Sequence, residues 1–125
     1  MFDDAGVGFS YSRKQAIADG VLIDVTATAR EAGVRSPVAL TAAAWERSVA
    51  VPPGVECQDE AGRLWDVLNL LRLAVRRTEG DRLTFGVQVR NDNRECNPPQ
   101  MRLKAVCGPG GEPAPVITIM LPDED

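Results

Sequence analysis

The spacing of the hydrophobic residues changes once along this chain, at Gly80, and that change constrains the fold more than any other feature. Before it, from Asp59 to Thr78, apolar residues recur at intervals of three and four, which is the spacing of one face of an α-helix. After it, apolar and polar residues alternate, as in strands that bury one face. The sequence therefore predicts an α+β protein with helices before Gly80 and a sheet after it.

The helix predicted over 59–78 has suitable charges at both ends. Asp59 and Glu60 stand at the N-terminal end, and Arg76 and Arg77 stand at the C-terminal end, where the helix dipole favours each sign. One face should be buried, and Trp65 lies beside it. The residues predicted on that face are Ala61, Leu64, Leu68, Leu71 and Val75.

Three strands are predicted after Gly80, over 83–89, 101–107 and 116–121. The segments that join them, 91–100 and 108–115, are rich in Asn, Pro and Gly, as exposed hairpin loops are. Short loops between alternating strands indicate an antiparallel sheet of at least three strands. We expect the long amphipathic helix to cover its apolar face.

Three shorter helices are predicted in the N-terminal half. In the first, over 12–19, Ser12 and Gln15 have the spacing of a capping box. Glycine is suited to the turn that ends such helices, and Gly20 and Gly33 follow the first and the second. The second spans 26–32, and the third is capped by Thr41, contains Trp45 and ends before Pro52.

Two segments between these helices are apolar. The segment 21–25 is either a strand or a buried connector, and 37–40 is extended because the residue before a proline avoids helical backbone angles. With 125 residues, 44% of them hydrophobic, the chain is predicted to form one α+β domain over 1–125. Several N-terminal helices and the long helix would pack on a C-terminal antiparallel sheet.

Charge and hydropathy argue against two classes of partner. The net charge is −4, and basic residues are interspersed with acidic ones, so neither duplex DNA nor an anionic membrane is favoured. No apolar run approaches the roughly 20 residues of a membrane span. Residues 1–9 contain two aspartates and no basic residue, unlike a secretory signal. A cytoplasmic location is expected.

The common catalytic and metal-binding chemistries lack their residues. The chain has no histidine and three cysteines, and Cys57, Cys96 and Cys107 match no metal-binding spacing. Three free thiols are expected, with Cys107 in the core. We therefore expect no cofactor, no metal and no enzymatic activity.

Carboxylates and glycines are better explained by structure than by catalysis. The carboxylates Asp19, Asp24, Asp59 and Glu60 fit turns and helix ends. The glycine-rich segment 108–111 is followed by acid, prolines and a strand, so it fits a hairpin turn rather than a phosphate-binding loop.

Two groups of charged residues are candidates for partner binding. Arginines cluster at the end of the long helix, and an acidic tail ends the chain, although a solvated tail is the simpler interpretation. A second set of cations, Arg90, Arg94, Arg102 and Lys104, surrounds the first hairpin. Together with the helix arginines they are a candidate basic patch, although a solvated face is the simpler interpretation. Core positions are expected for Trp45 and Trp65. The candidate contact residues are Arg72, Arg76, Arg77, Asp123, Glu124 and Asp125.

Four stretches together resemble a family of uncharacterised small proteins encoded on bacterial plasmids, integrative elements and phages. They span 11–26, 30–46, 58–77 and 105–125, and include the strings ADGVLIDV and DEAGRLWDVL. The resemblance brings no catalytic residues. It implies a role in maintaining a mobile element or in blunting host defence.

These observations lead to two functional hypotheses. The first is a non-enzymatic binding protein of a mobile genetic element that acts stoichiometrically on a host or element protein, for example as an anti-CRISPR or anti-restriction inhibitor. The alternative is a nucleic-acid-associated accessory protein that uses the arginine cluster, in which case retention on DNA or RNA should fall steeply with salt.

Overall fold

Helices and strands alternate through the N-terminal half of the chain before a long helix and three strands. The computed structural model describes residues 12–55, 59–77, 80–88, 100–109 and 115–124. Within these ranges the elements are α1 (Arg13–Ala18), β1 (Leu22–Asp24), α2 (Thr26–Glu31), β2 (Val38–Thr41), α3 (Ala42–Ser48), α4 (Glu60–Arg77), β3 (Arg82–Gln88), β4 (Gln100–Pro109) and β5 (Pro115–Met120).

The strands form one mixed sheet in the order β1-β2-β5-β4-β3. The antiparallel pairs β3–β4 and β4–β5 confirm the predicted C-terminal meander. The prediction that the sheet lies wholly after Gly80 and is wholly antiparallel is wrong. Two N-terminal strands extend it, and β2 runs parallel to β5.

The strand β2 lacks the alternating pattern because both of its faces are covered. Val38, Ala39 and Leu40 are all buried, as is usual for a strand paired in parallel in the middle of a sheet. β1 and β5 flank it in the sheet, and α2 and α3 contact it. The extended segment predicted at 37–40 is thus an interior strand, and the apolar segment at 21–25 contains the edge strand β1.

The short helices begin and end as their cap residues predict. Ser12 and Gln15 form the capping box of α1, and Gly20 follows that helix with a φ of 78°. Thr41 caps α3 by accepting a hydrogen bond from the Ala44 amide at 3.1 Å. Gly33 follows α2 with a φ of 99°, a region of backbone space that favours glycine.

The core lies between one face of the sheet and α4. Leu68 and Leu71 of α4 are fully buried, as are Leu103 and Ile119 of the sheet. Each fully buried side chain of this size stabilises the fold by about 1.5–3 kcal/mol. Trp45 packs against the same core, as predicted. Cys107 is half-buried and also packs there.

The residues after β5 fold back onto the sheet. Glu124 Oε1 accepts hydrogen bonds from Thr41 Oγ1 at 2.7 Å and from the Leu121 amide at 2.8 Å. Lys104 donates to the Glu124 carbonyl oxygen. The expectation of a solvated acidic tail is therefore wrong for Glu124, whose carboxylate is held within the fold, while Asp123 is exposed.

Several residues considered in the sequence lie outside the described ranges. Nothing structural is assigned to them, and the predictions made for them stay predictions. They are Cys57, Cys96, Thr78, Val89, Arg90, Arg94, the segment 91–99, the segment 110–114 and Asp125.

Candidate binding surface

The buried face of α4 is rotated relative to the face that the sequence predicts. Leu64, Leu68 and Leu71 are buried as predicted, but Ala61 and Val75 are exposed and Val67 is buried instead. Trp65 is 40% exposed, so its predicted core position is wrong. Successive helical residues are about 100° apart, and Trp65 therefore turns away from the sheet when Leu64 faces it.

A line of residues on the outward side of α4 combines apolar and basic side chains. Trp65 and Leu73, which is 41% exposed, are separated by two helical turns. Arg72 and Arg76 lie between and beyond them on the same side, because residues three, four, seven and eight apart share one helix face. We call this surface the α4 outer stripe; its residues are Trp65, Asn69, Arg72, Leu73 and Arg76.

Arg72 is fixed in the stripe by its contact with the end of α2. A Cβ atom placed on Gly33 would lie 2.9 Å from Arg72 Cδ, so the arginine stem crosses directly over this glycine. Arg72 Nε is buried and has no hydrogen-bond partner among the described residues. A buried donor without an acceptor costs about 1–3 kcal/mol.

The other two arginines predicted to bind a partner are less constrained. Arg76 and Arg77 form the last turn of α4 and are exposed. Arg77 lies four residues after Leu73, at the border of the stripe. The three predicted arginines thus lie together at one end of the helix, whereas Glu124 is bonded within the fold.

An arginine that the sequence pattern did not single out is buried in α4. Arg63 lies on the sheet-facing side and donates from Nη1 to the Ala50 carbonyl oxygen, just after α3, at 2.9 Å. Burial of the guanidinium lowers the pKa of Arg63, because desolvation disfavours the charged form. Its long side chain packs α4 against the end of α3, a structural role.

The basic residues form two separate surfaces. Phe85 and Leu103 face α4, so their neighbours Thr84 and Arg102 point from the opposite side of the sheet. Arg102 Nη2 donates to Thr84 Oγ1 at 2.8 Å on that side. Among the described residues, the helix arginines therefore do not share one patch with Arg102 and Lys104.

Two of the carboxylates considered in the sequence make local hydrogen bonds. Asp24 Oδ1 accepts a hydrogen bond from the Thr26 amide at 3.1 Å, and Asp59 Oδ1 accepts one from the Gly62 amide at the start of α4. Within the described ranges, no group of three His, Cys, Asp or Glu residues is placed to hold a metal ion. No helix in those ranges has the length and apolar character of a membrane span.

The fold and the surface define the chain as a small α+β protein with a five-stranded mixed sheet, covered on one face by a helix that exposes a mixed apolar and basic stripe. Comparison with protein families adds a membership: the chain belongs to DUF6573, a family of unknown function, whose model matches residues 1–125. No curated protein and no solved structure shows significant similarity to the chain.

Proposed function

We propose that this protein is a non-enzymatic binding protein that docks an acidic protein surface on the α4 outer stripe. The observation that carries the proposal is the exposed pair Trp65 and Leu73 beside the exposed Arg76 on the same side of α4. Tryptophan and arginine are the residues most enriched among those that dominate binding energy at protein interfaces.

The charge of the stripe supports an acidic partner. Both ionisable residues of the stripe are arginines, and at its border Arg77 adds a positive charge and the exposed Asp66 a negative one. A carboxylate placed near the exposed side chain of Arg76 would form a charge-assisted hydrogen bond with its guanidinium. Opposite charges across such a contact mainly raise the association rate and the specificity.

The proposed action is stoichiometric, and the setting follows from the resemblance to mobile-element proteins. A protein of this kind would occupy a functional surface of a host or element complex, such as a defence complex, and block it. Binding of one copy per target would then suffice, and inhibition would rise in proportion to the protein added.

The nucleic-acid alternative receives less support from the stripe. One exposed tryptophan beside arginines could stack on a base, but a strand of nucleic acid needs several such contacts in a row. The described cations are divided between the two sides of the sheet. Fewer phosphates could therefore be neutralised at once, and we favour the acidic protein.

The test compares variants in a capture experiment from host lysate, with the bound proteins identified by mass spectrometry. Trp65→Ala and Arg76→Glu should lose the captured partner, whereas Arg82→Glu, which changes an exposed arginine of β3, should retain it. Single-stranded DNA is offered in a parallel arm. Equal capture by the wild-type protein and its three variants would contradict the proposal. So would salt-sensitive retention on the DNA without capture of a protein partner.

A further inference from the structure

A cleft lies far from the α4 outer stripe. It is located at the sheet, where β1 ends and β2 and β5 begin. It has a volume of about 240 Å³, many times the 10–15 Å³ or so that one water molecule requires. Its walls come from α1, from the junction of β1 with α2, and from the starts of β2 and β5. A small organic molecule could enter it.

The positive side of the cleft is built by α1. Arg13 Nη1 donates to Thr118 Oγ1 at 2.7 Å, and Nη2 donates to the Ile117 carbonyl oxygen at 2.9 Å. These two bonds fix the orientation of the guanidinium, and they use two of its five N–H donors. Burial lowers the pKa of Arg13, and the charge of Asp24 opposes that shift. Lys14 lines the cleft beside it.

The negative side is Asp24, at the end of β1. Its Oδ1 atom accepts hydrogen bonds from the amide and the hydroxyl of Thr26. Asp24 is exposed. The cleft thus carries opposite charges, and the charge of Asp24 acts on Arg13 through space.

We propose that this cleft binds a free α-amino acid with an aliphatic side chain. The ligand carboxylate would contact Arg13 and Lys14, and its ammonium group would contact Asp24. Ile17, Pro37 and Val116 line the remainder of the cleft and offer apolar contact to the side chain. A simple anion such as phosphate fits less well, because Asp24 repels it.

The test uses leucine and its two halves. Binding is followed by calorimetry and by NMR shifts of the Ile17 and Val116 methyl groups, with leucine, isocaproate (which lacks the ammonium group), isoamylamine (which lacks the carboxylate) and inorganic phosphate. Leucine should bind and shift the methyl NMR signals of both residues. Each of the other probes should bind at least about tenfold more weakly. The proposal would be overturned if leucine showed no binding at about 10 mM. It would also be overturned if isocaproate or phosphate bound as tightly as leucine.

Two variants and a control assign the contacts. Asp24→Asn keeps an acceptor for Thr26 but removes the negative charge, so leucine affinity should fall about tenfold. Lys14→Gln changes an exposed side chain and should weaken leucine binding by a smaller factor. Arg82→Gln should leave binding unchanged. Unchanged affinity in Asp24→Asn, with the fold shown intact by its NMR spectrum, would likewise overturn the proposed site.

Discussion

Gly33 makes room for one arginine of the α4 outer stripe. Its φ of 99° favours glycine, and the absence of a Cβ atom makes room for the stem of Arg72. A single glycine therefore both ends α2 and orients an arginine of α4. The sequence indicated the first role, since a glycine follows the predicted helix, but a contact with a residue so distant in the chain has no local signal.

Gly33→Ala should destabilise the protein more than Gly20→Ala does. Both glycines have a positive φ, and alanine at either costs about 1–2 kcal/mol in the backbone. At Gly33 the new Cβ would also lie 2.9 Å from Arg72 Cδ, whereas nothing lies within 4 Å at Gly20. Urea unfolding measures both losses.

The Arg72→Ala background supplies the control. Removing the arginine stem removes the crowding, so the extra cost of Gly33→Ala over Gly20→Ala should largely disappear there. If the excess is equally large with and without Arg72, the described contact does not constrain Gly33.

At the scale of the element, α4 shows how far periodicity leads and where it stops. The predicted bounds, 59–78, agree closely with the observed Glu60–Arg77. The face was less accurate, because a hydrophobic pattern does not register Arg63, whose long side chain is buried with its polar head bonded to a carbonyl group. The sequence signal for the α4 outer stripe was the spacing of four residues between Trp65, Asn69 and Leu73.

Leu68→Ala should lower the free energy of unfolding by about 2–5 kcal/mol, because the side chain is fully buried against the sheet. The matched control is Leu73→Ala on the outward side of the same helix, which should cost less than about 0.5 kcal/mol. Chemical denaturation of the isolated protein gives both values. Similar losses for the two variants would mean that the assigned faces of α4 are wrong.

At the scale of the whole molecule, the sheet contains more than the sequence pattern indicates. The C-terminal meander follows from alternation within each strand and from short connections. The β2–β5 pair joins strands from opposite ends of the chain, and β2 carries no alternation because it is buried on both faces. Local reasoning therefore predicted extended backbone at 37–40 but not its partner.

The candidate binding surface, like the sheet, was predicted from the sequence only in part. The arginines of α4 were identified as a cluster from their spacing in the sequence. The separation of the basic residues by the sheet and the opposite charges of the Arg13–Asp24 cleft depend on tertiary packing. Neither of these features has a signature within a short stretch of sequence.

The central claim is that the partner meets the protein on the α4 outer stripe, and site-specific photo-crosslinking tests it most directly. A photoreactive residue is placed at Leu73 in the stripe or at Thr84, which is exposed on the opposite side of the sheet. After irradiation in host lysate, the photoreactive residue at position 73 should give a discrete adduct with the partner, and the yield of that adduct should fall at high salt. The photoreactive residue at position 84 should give no adduct. An adduct from Thr84 without one from Leu73 would contradict the account.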